Sequence, residues 1–235
     1  MKQNKPIGTV PAPGSKETEH RETTRIFTKE EIYEVLNERH SPGIQARLNE
    51  GRVAVAGLGG LGSNVAVALA RIGVGHLHLI DFDLVDLTNL NRQQYFMEHV
   101  GMPKTEALKS ELLRINPYLD IRTDQVRVTE DNLKELFAED DIICEAFDVP
   151  ENKALLVNGI LEHFPGKKLV SASGMAGFES SNLIRTRKVM DNFYLCGDEM
   201  TEPEYGRGLM APRVAICGAH EANMITRLIL GLEDV

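Results

Sequence analysis

Val53-Ala-Val-Ala-Gly57-Leu-Gly59-Gly60-Leu-Gly62-Ser63 is a short apolar run that empties into four glycines and then into a helical pattern. The apolar residues read as a buried strand and the glycines as a tight turn onto a helix. Such a turn lets backbone approach a phosphate. The unpaired N–H groups and positive dipole end of the helix behind it add about 0.3–1 kcal/mol per bound anion. Asp81 closes the next apolar run, 19 residues past Gly62, where a carboxylate can accept from ribose hydroxyls. A tight turn with no ligand would use the same glycines. Strand, helix and acid together favour a nucleotide, without separating NAD from ATP.

Outward from that turn, apolar runs alternate with helical stretches. Helices are expected over 63–72, 104–115 and 151–164, and strands over 53–56, 77–80, 142–146 and 169–172. Parallel neighbours need crossover connections, so the alternation implies an α/β, Rossmann-like, doubly wound and mostly parallel sheet with helices on both faces. Residues 182–212 are mixed and admit antiparallel strands near the C-terminal end. A last helix is expected over 214–230. Upstream, Thr28 and Glu31 make a capping box, Phe27 can staple onto Ile32, and Ile32, Val35 and Leu36 supply one apolar stripe. Residues 1–26, with Pro6, Pro11 and Pro13 among polar neighbours, have little to bury and read as a mobile arm ahead of a single domain over 27–235.

The 235 residues are 42% hydrophobic and 26% charged, which fits a folded globular chain, and no internal linker divides it. The 26 Lys+Arg against 35 Asp+Glu give a formal charge of −9, which disfavours unselective binding to nucleic acid or anionic membrane. Any anion must be held by a local device. Cys144, Cys196 and Cys217 form no CxxC pair, so neither a disulfide framework nor a four-cysteine zinc site can be built from them. No secretory h-region and no run of about 18 apolar residues is present, so a cytoplasmic, membrane-free protein is expected.

After Asp81 the chain continues Asp81-Phe-Asp83-Leu-Val-Asp86-Leu-Thr88-Asn89-Leu90-Asn91-Arg92-Gln93-Gln94, then Gly101-Met-Pro103-Lys104. Hydride transfer has no special use for a fixed Arg and Lys here; a triphosphate does, since a guanidinium fork and an ammonium point charge neutralise its oxygens. Alone, either residue would pass for a solvated surface cation. With GLGGLGS, LIDFDLVDLTNLNRQ, GMPKTEAL and RINPYL in that order, residues 30–232 resemble the ThiF/MoeB family of ubiquitin-like-protein activating enzymes. The nearest resemblance is to a short, zinc-free ThiF, the sulfur carrier protein adenylyltransferase of thiamine biosynthesis.

That resemblance implies an ATP-binding domain. It would adenylate the C-terminal Gly-Gly carboxylate of a small ubiquitin-like sulfur carrier, releasing pyrophosphate, before a sulfur donor acts in thiamine thiazole synthesis. It implies that Gly57, Gly59, Gly60 and Gly62 line the nucleotide, Asp81 holds the ribose, and Asn89 and Arg92 sit on the phosphates. Lys104 would contact the triphosphate, and Asp148 would hold Mg2+. Arg92, Lys104 and Asp148 would be the catalytic set. No enzyme base is required, because the attacking carboxylate is already ionised at neutral pH. In Cys144-Glu-Ala-Phe-Asp148-Val-Pro-Glu151, Asp148 also fits a helix N-cap, and both readings can hold. Val149 stands where the family usually has Asn.

Three departures from the family follow. The two CxxC pairs of the zinc-bearing branches are missing, so no structural zinc is expected. The family's N-terminal R-x-x-R-Q is matched only at Arg39 in Glu38-Arg39-His40-Ser41-Pro42-Gly43, which leaves Arg39 or Arg47 as substitutes. Cys196 lies nearest the late cysteine that some members link to the carrier; without an adjacent base, a structural thiol is the competing reading. Cys144 and Cys217 read as core. His220-Glu221 lacks the second His of HExxH and reads as an ordinary helical pair. Met200, Met210 and the Tyr205-Gly-Arg-Gly loop suit a lid or carrier contact. The apolar last helix, with Met224, Ile225, Leu228, Ile229 and Leu232, together with the family habit, implies a homodimer. Three rivals stand: a tRNA threonylcarbamoyladenosine dehydratase-type enzyme, an NAD-dependent oxidoreductase that leaves Asn89, Arg92 and Lys104 unexplained, and a non-catalytic nucleotide-binding module.

Overall fold

A computed structural model of the chain describes residues 25–204 and 206–235. The arm expected over 1–26 lies outside the described residues, apart from Arg25 and Ile26. In chain order the elements are α1 (Lys29–Arg39), α2 (Ile44–Glu50), β1 (Arg52–Ala56), α3 (Gly60–Arg71), β2 (His76–Ile80), α4 (Lys104–Ile115) and β3 (Asp120–Asp124). There follow α5 (Glu130–Leu136), β4 (Ile142–Glu145), α6 (Pro150–His163), β5 (Lys168–Ala172), β6 (Arg185–Met190), β7 (Phe193–Gly197) and α7 (Ala211–Ile229).

The seven strands form one sheet in the order β3-β2-β1-β4-β5-β7-β6, parallel throughout except for the β6–β7 pair. Period-two alternation divides the core. Val53 and Val55 of β1 face one apolar layer, shared with α3, α4 and α7, while Ala54 and Ala56 face a second layer built with α5 and α6. Helices therefore cover both faces, as the alternation implied. β1 feeds β2 and β3 on one side and β4 continues on the other, so the order reverses between β1 and β4. Open α/β folds bind ligands at the carboxyl ends of strands at such a reversal.

Four expectations need correction. Short elements α2, β3 and α5 were not foreseen. Most of the apolar residues expected to form a dimer face are spent inside the chain: Met224, Ile225 and Leu228 are buried in the core that α7 shares with α3, Ile229 is half-buried, and only Leu232, beyond the helix, is exposed. Asp148 is not a cap, because Val149 occupies the N-cap position of α6 with no side-chain bond and Pro150 opens the helix. The capping box at Thr28 and Glu31 forms, yet α1 buries no residue, so its apolar stripe is left largely open. Among the described residues no helix is long and apolar enough to cross a membrane.

Candidate functional site

The turn after β1 is stiff because its glycines are obligatory in two ways. Gly57 has φ +92°, and a Cβ there would stand 2.7 Å from the Ala146 carbonyl oxygen, so the loops after β1 and β4 touch. A Cβ on Gly62 would overlap the Gly57 carbonyl, which folds the start of α3 onto the strand end. Gly59 is the N-cap of α3 and makes no side-chain cap bond, leaving its first N–H groups open.

Asp81 fastens this turn. Its Oδ2 accepts from the Leu58 N–H at 2.7 Å and its Oδ1 from the Asp83 N–H at 2.8 Å. Burial raises its carboxyl above the ordinary range, against the opposing pull of Lys104 and the two amides. The Leu58 carbonyl accepts from Tyr95 Oη at 2.8 Å, so this residue is held at both its N–H and its carbonyl.

Residues 89–95 lie across the glycines. Ser63 Oγ donates to the Gly59 carbonyl at 2.6 Å and accepts from the Gln94 N–H at 3.1 Å. Asn64 Nδ2 donates to the Gly60 carbonyl at 2.6 Å, and its Oδ1 accepts from Gln94 Nε2 at 2.7 Å. Arg92 thereby sits over Gly60: its Cγ is 3.4 Å from where a Cβ would be, its Nη1 donates to Asn91 Oδ1 at 2.8 Å, and its buried Nε has no partner among the described residues. Asn89 uses Oδ1 to accept from the Asp86 N–H at 2.9 Å, closing the short turn Leu87–Asn89. Lys104, buried at the start of α4, reaches back with Nζ 2.9 Å from Asp83 Oδ2 and 3.9 Å from Asp81 Oδ2.

The site residues named from the sequence thus converge: the glycines, Asp81, Arg92 and Lys104 form one cluster. Asp148 is on the loop after β4, two residues past Ala146, whose carbonyl meets Gly57; it is exposed and without an ion pair among the described residues. Sequence reasoning missed Ser63, Asn64, Gln94 and Tyr95. They look like ordinary helix or loop residues until the 89–95 segment is laid over the turn. Asp83, which holds Lys104, was visible in the motif but had no assigned duty.

Other candidates lie elsewhere. Arg39 and Arg47 belong to α1 and α2, which pack at the amino ends of the strands: the Leu48 carbonyl accepts from the Gly75 N–H just before β2, and Gln45 Nε2 donates to the Gly73 carbonyl. Neither arginine reaches the glycine turn of its own chain. Cys196 is wholly buried in β7, where burial pushes its thiol up to about 12, disfavouring the thiolate that an attacking sulfur requires. Cys144 and Cys217 are buried as well. His220 Nδ1 lies 3.0 Å from Thr186 Oγ1, and Glu221 points inward. A cavity of about 660 Å3 opens not at the turn but along β6 and β7, lined by Thr186, Arg187, Asp198, Glu199, Met200 and Arg207.

Comparison with known proteins bears on the whole of this architecture. The profile described as the ThiF family matches residues 32–235. The chain is 32% identical over 195 residues to the adenylyltransferase and sulfurtransferase UBA4 of Candida glabrata, covering 80% of this chain and 44% of that protein. It is 30% identical to the molybdopterin-synthase adenylyltransferase of Escherichia coli, covering 80% and 76%. It is 31% identical to the sulfur carrier protein ThiS adenylyltransferase of the same organism, again covering 80% and 76%. The chain therefore spans less than half of the fungal relative and about three quarters of the bacterial ones. Among solved structures, the E. coli tRNA N6-threonylcarbamoyladenosine dehydratase in complex with ATP superposes with a TM-score of 0.78 at 20% identity, covering 88% of this chain and 98% of that one, a likeness of fold.

Proposed function

The chain belongs to the ThiF family, and from that premise we propose that it is an ATP-dependent adenylyltransferase acting on the C-terminal Gly-Gly carboxylate of a small ubiquitin-like sulfur carrier. The observation that supports this is the open α3 N-terminus at the glycine turn with Arg92 over Gly60 and Lys104 at Asp81, which holds Leu58 of that turn, on a chain whose net charge of −9 calls for a local anion-binding device.

In this reading the glycine turn and α3 bind the nucleotide phosphates, Asp81 bonds the ribose while keeping Leu58 in place, and Asn89 and Arg92 meet the phosphate oxygens. Lys104 exchanges Asp83 for the triphosphate. The carrier carboxylate attacks the α-phosphorus: one P–O bond forms, the bond to the β-phosphate oxygen breaks, and pyrophosphate leaves. The side chains contribute position and positive charge rather than a proton transfer. Asp148, an exposed carboxylate free of ion pairs among the described residues and two positions past Ala146, whose carbonyl meets Gly57, fits Mg2+, which typically takes one or two carboxylates beside substrate phosphates. When bound there, the ion supplies charge neutralisation on the departing phosphates.

The finer assignment within the same proposal is a ThiS-like carrier serving thiamine thiazole formation with a separate sulfur donor, in the cytoplasm, by a homodimer. Its test is ATP–pyrophosphate exchange with Gly-Gly-ending carriers, tRNA and no partner in parallel. Exchange stimulated by a ThiS-like carrier is the expected result. Stimulation by tRNA alone would replace it with the dehydratase-type reading, and purified protein carrying NAD would replace it with an oxidoreductase. Arg92→Ala and Lys104→Ala should each slow exchange by more than about tenfold, since each removes a charge that meets the transferred phosphates; exchange near the parental rate in either would remove that residue from the machinery.

A further inference from the structure

We propose that Asp140, His78 and Asp124 share one proton beyond those of a neutral imidazole and two ionised carboxylates, and that its loss as pH rises unfastens the edge strand β3.

His78 lies in the middle of β2 and is 3% exposed. Both of its ring nitrogens face carboxylates: Nδ1 is 2.9 Å from Asp140 Oδ2, and Nε2 is 2.8 Å from Asp124 Oδ2. A neutral imidazole has one N–H and one lone pair, so it can donate to only one of them. The other contact would set a nitrogen lone pair against a carboxylate oxygen at hydrogen-bond distance. Solvent screens such a clash poorly, because the His78 and Asp140 side chains are only 4% and 8% exposed. A second proton, on the ring or on one carboxyl group, turns both contacts into hydrogen bonds.

The surrounding charges leave that proton its work. From β3, Arg122 Nε is 2.8 Å from Asp124 Oδ2. Lys167, on the loop before β5, spends its Nζ on the Ala138 and Asp140 carbonyls. From β1, Arg52 Nε donates to the Glu139 carbonyl at 3.1 Å, with the Glu139 carboxylate 3.9 Å from its Nη2. Phe137, at the end of α5, brings an apolar ring with its centroid 6.4 Å from that of His78. His78 is therefore the one side chain that bonds the Asp140 carboxylate among the described residues. At the start of β3, His76 Nδ1 lies 2.8 Å from Asp120 Oδ2 in an exposed pair.

β3 pairs with β2 alone, and Ile121 is its one buried residue, so side-chain ties matter to it more than to the inner strands. On its other face Thr123 Oγ1 donates to Glu106 at 2.9 Å. The strand also reaches the site described above, since the Asp124 carbonyl accepts from the Asp81 N–H at 3.3 Å. The folded cluster keeps a proton that the unfolded chain gives up. Its contribution is thus present at the lower pH and lost as pH rises.

Asp140→Asn tests this, because a carboxamide there donates to His78 Nδ1 and lets the ring donate from Nε2 to Asp124, with no extra proton required. Hydrogen exchange of the full chain, each rate referred to the intrinsic rate at the same pH, should show β3 protection falling at least about tenfold from about pH 6 to 8.5 in the parent, with smaller changes in β4 and β5. In Asp140→Asn the change in β3 should stay under about twofold. Asp120→Asn, which removes the partner of His76, should keep the parental response. A parent whose β3 protection ignores pH overturns the proposal, as does an Asp140→Asn variant that responds like the parent; a response lost in Asp120→Asn would belong to His76 instead. Nitrogen and carboxyl NMR signals of the parent decide the proton count without any variant. Two ring protons, or one ring proton and one carboxyl proton, are expected at about pH 6. A ring with one bare nitrogen beside two ionised carboxylates at that pH also overturns it.

Discussion

Glu221 shows how one side chain can set a stability profile. It is wholly buried on α7, with Oε1 3.8 Å from Cys144 Sγ and Oε2 unpartnered among the described residues, and burial holds its carboxyl well above its ordinary 4.5. A folded-state pKa raised above the unfolded value means that the native chain keeps a proton the unfolded chain gives up. The associated stability is fully present below about pH 4.5 and is lost as pH rises towards the folded value. Asp81, also raised by burial, adds in the same direction. Glu221→Gln removes the titration, so its melting temperature should exceed the parent's by a margin that widens from about pH 5 to 8; a margin constant across that range would clear Glu221 of the effect. The glycines offer a second contrast. Within a helix, Gly→Ala ordinarily stabilises by up to about 1 kcal/mol, but Gly62→Ala would drive a methyl into the Gly57 carbonyl, whereas Gly59→Ala meets only Gln93 Nε2 at van der Waals distance. Thermal melts should therefore separate the two, with a marked loss for Gly62→Ala and little change for Gly59→Ala. The glycines and Asp81 were legible from their spacing, whereas Arg92 and Lys104 stood out only when the family resemblance joined them to the motif. The clamp of Asp81 and Tyr95 on Leu58 was not legible, because a residue held through its backbone N–H and carbonyl has no sequence pattern.

At the scale of elements, legibility followed burial. β1, β2, β4 and β5 were read within a residue or two because each is an apolar run buried on two faces. β3 is Asp-Ile-Arg-Thr-Asp at the sheet edge, where Ile121 is the one buried position, and such a segment looks like a loop. α2 and α5 are seven residues each, too short for a clear 3.6 period. Arg213 was overlooked for another reason: at the start of a helix an arginine looks solvated, yet here two other segments converge on it. Its Nη1 donates to the Glu179 and Ser180 carbonyls at 2.8 and 2.9 Å, and its Nη2 pairs with Asp198, whose side chain is as buried as its own. Burial opposes ionisation of Asp198, but the Met200 and Thr201 N–H groups, the Thr201 hydroxyl and Arg213 outweigh it and hold the carboxyl low. Arg213→Leu would leave that carboxylate buried without its cation, a change that costs about 3–5 kcal/mol. Denaturant melts should show the loss, and adding Asp198→Asn should recover part of it. A loss under about 1 kcal/mol would mean that water reaches Asp198 once the arginine is gone.

For the whole molecule, the question the sequence answered on the wrong evidence is self-association. The apolar side chains of α7 look like an interface in a linear reading, but α3 consumes them, and a helix pattern cannot say whether its partner lies in the same chain. The structure leaves a different apolar surface open. Between β2 and α4 the chain folds back on itself: the Val85 N–H donates to the Met102 carbonyl and the Gly101 N–H to the Val85 carbonyl, both at 2.8 Å, with Leu84 bridged to Pro103. The excursion so closed exposes Leu84, Leu87, Phe96, Met97 and Val100, Met97 by 70%. Arg92 belongs to the same excursion, so a second copy seated on this surface would lie beside a residue proposed to bind phosphate. That many large apolar side chains exposed along one short segment is unusual for a chain that works alone. A carboxylate placed among them would have to be desolvated on association. Light scattering of the parent should therefore give twice the 26.1 kDa chain mass, and the double variant Leu87→Glu, Met97→Glu should give the single mass with an unchanged circular dichroism spectrum. A parent at 26.1 kDa in dilute solution would end the homodimer proposal. A variant that stays paired would move the interface away from residues 84–100.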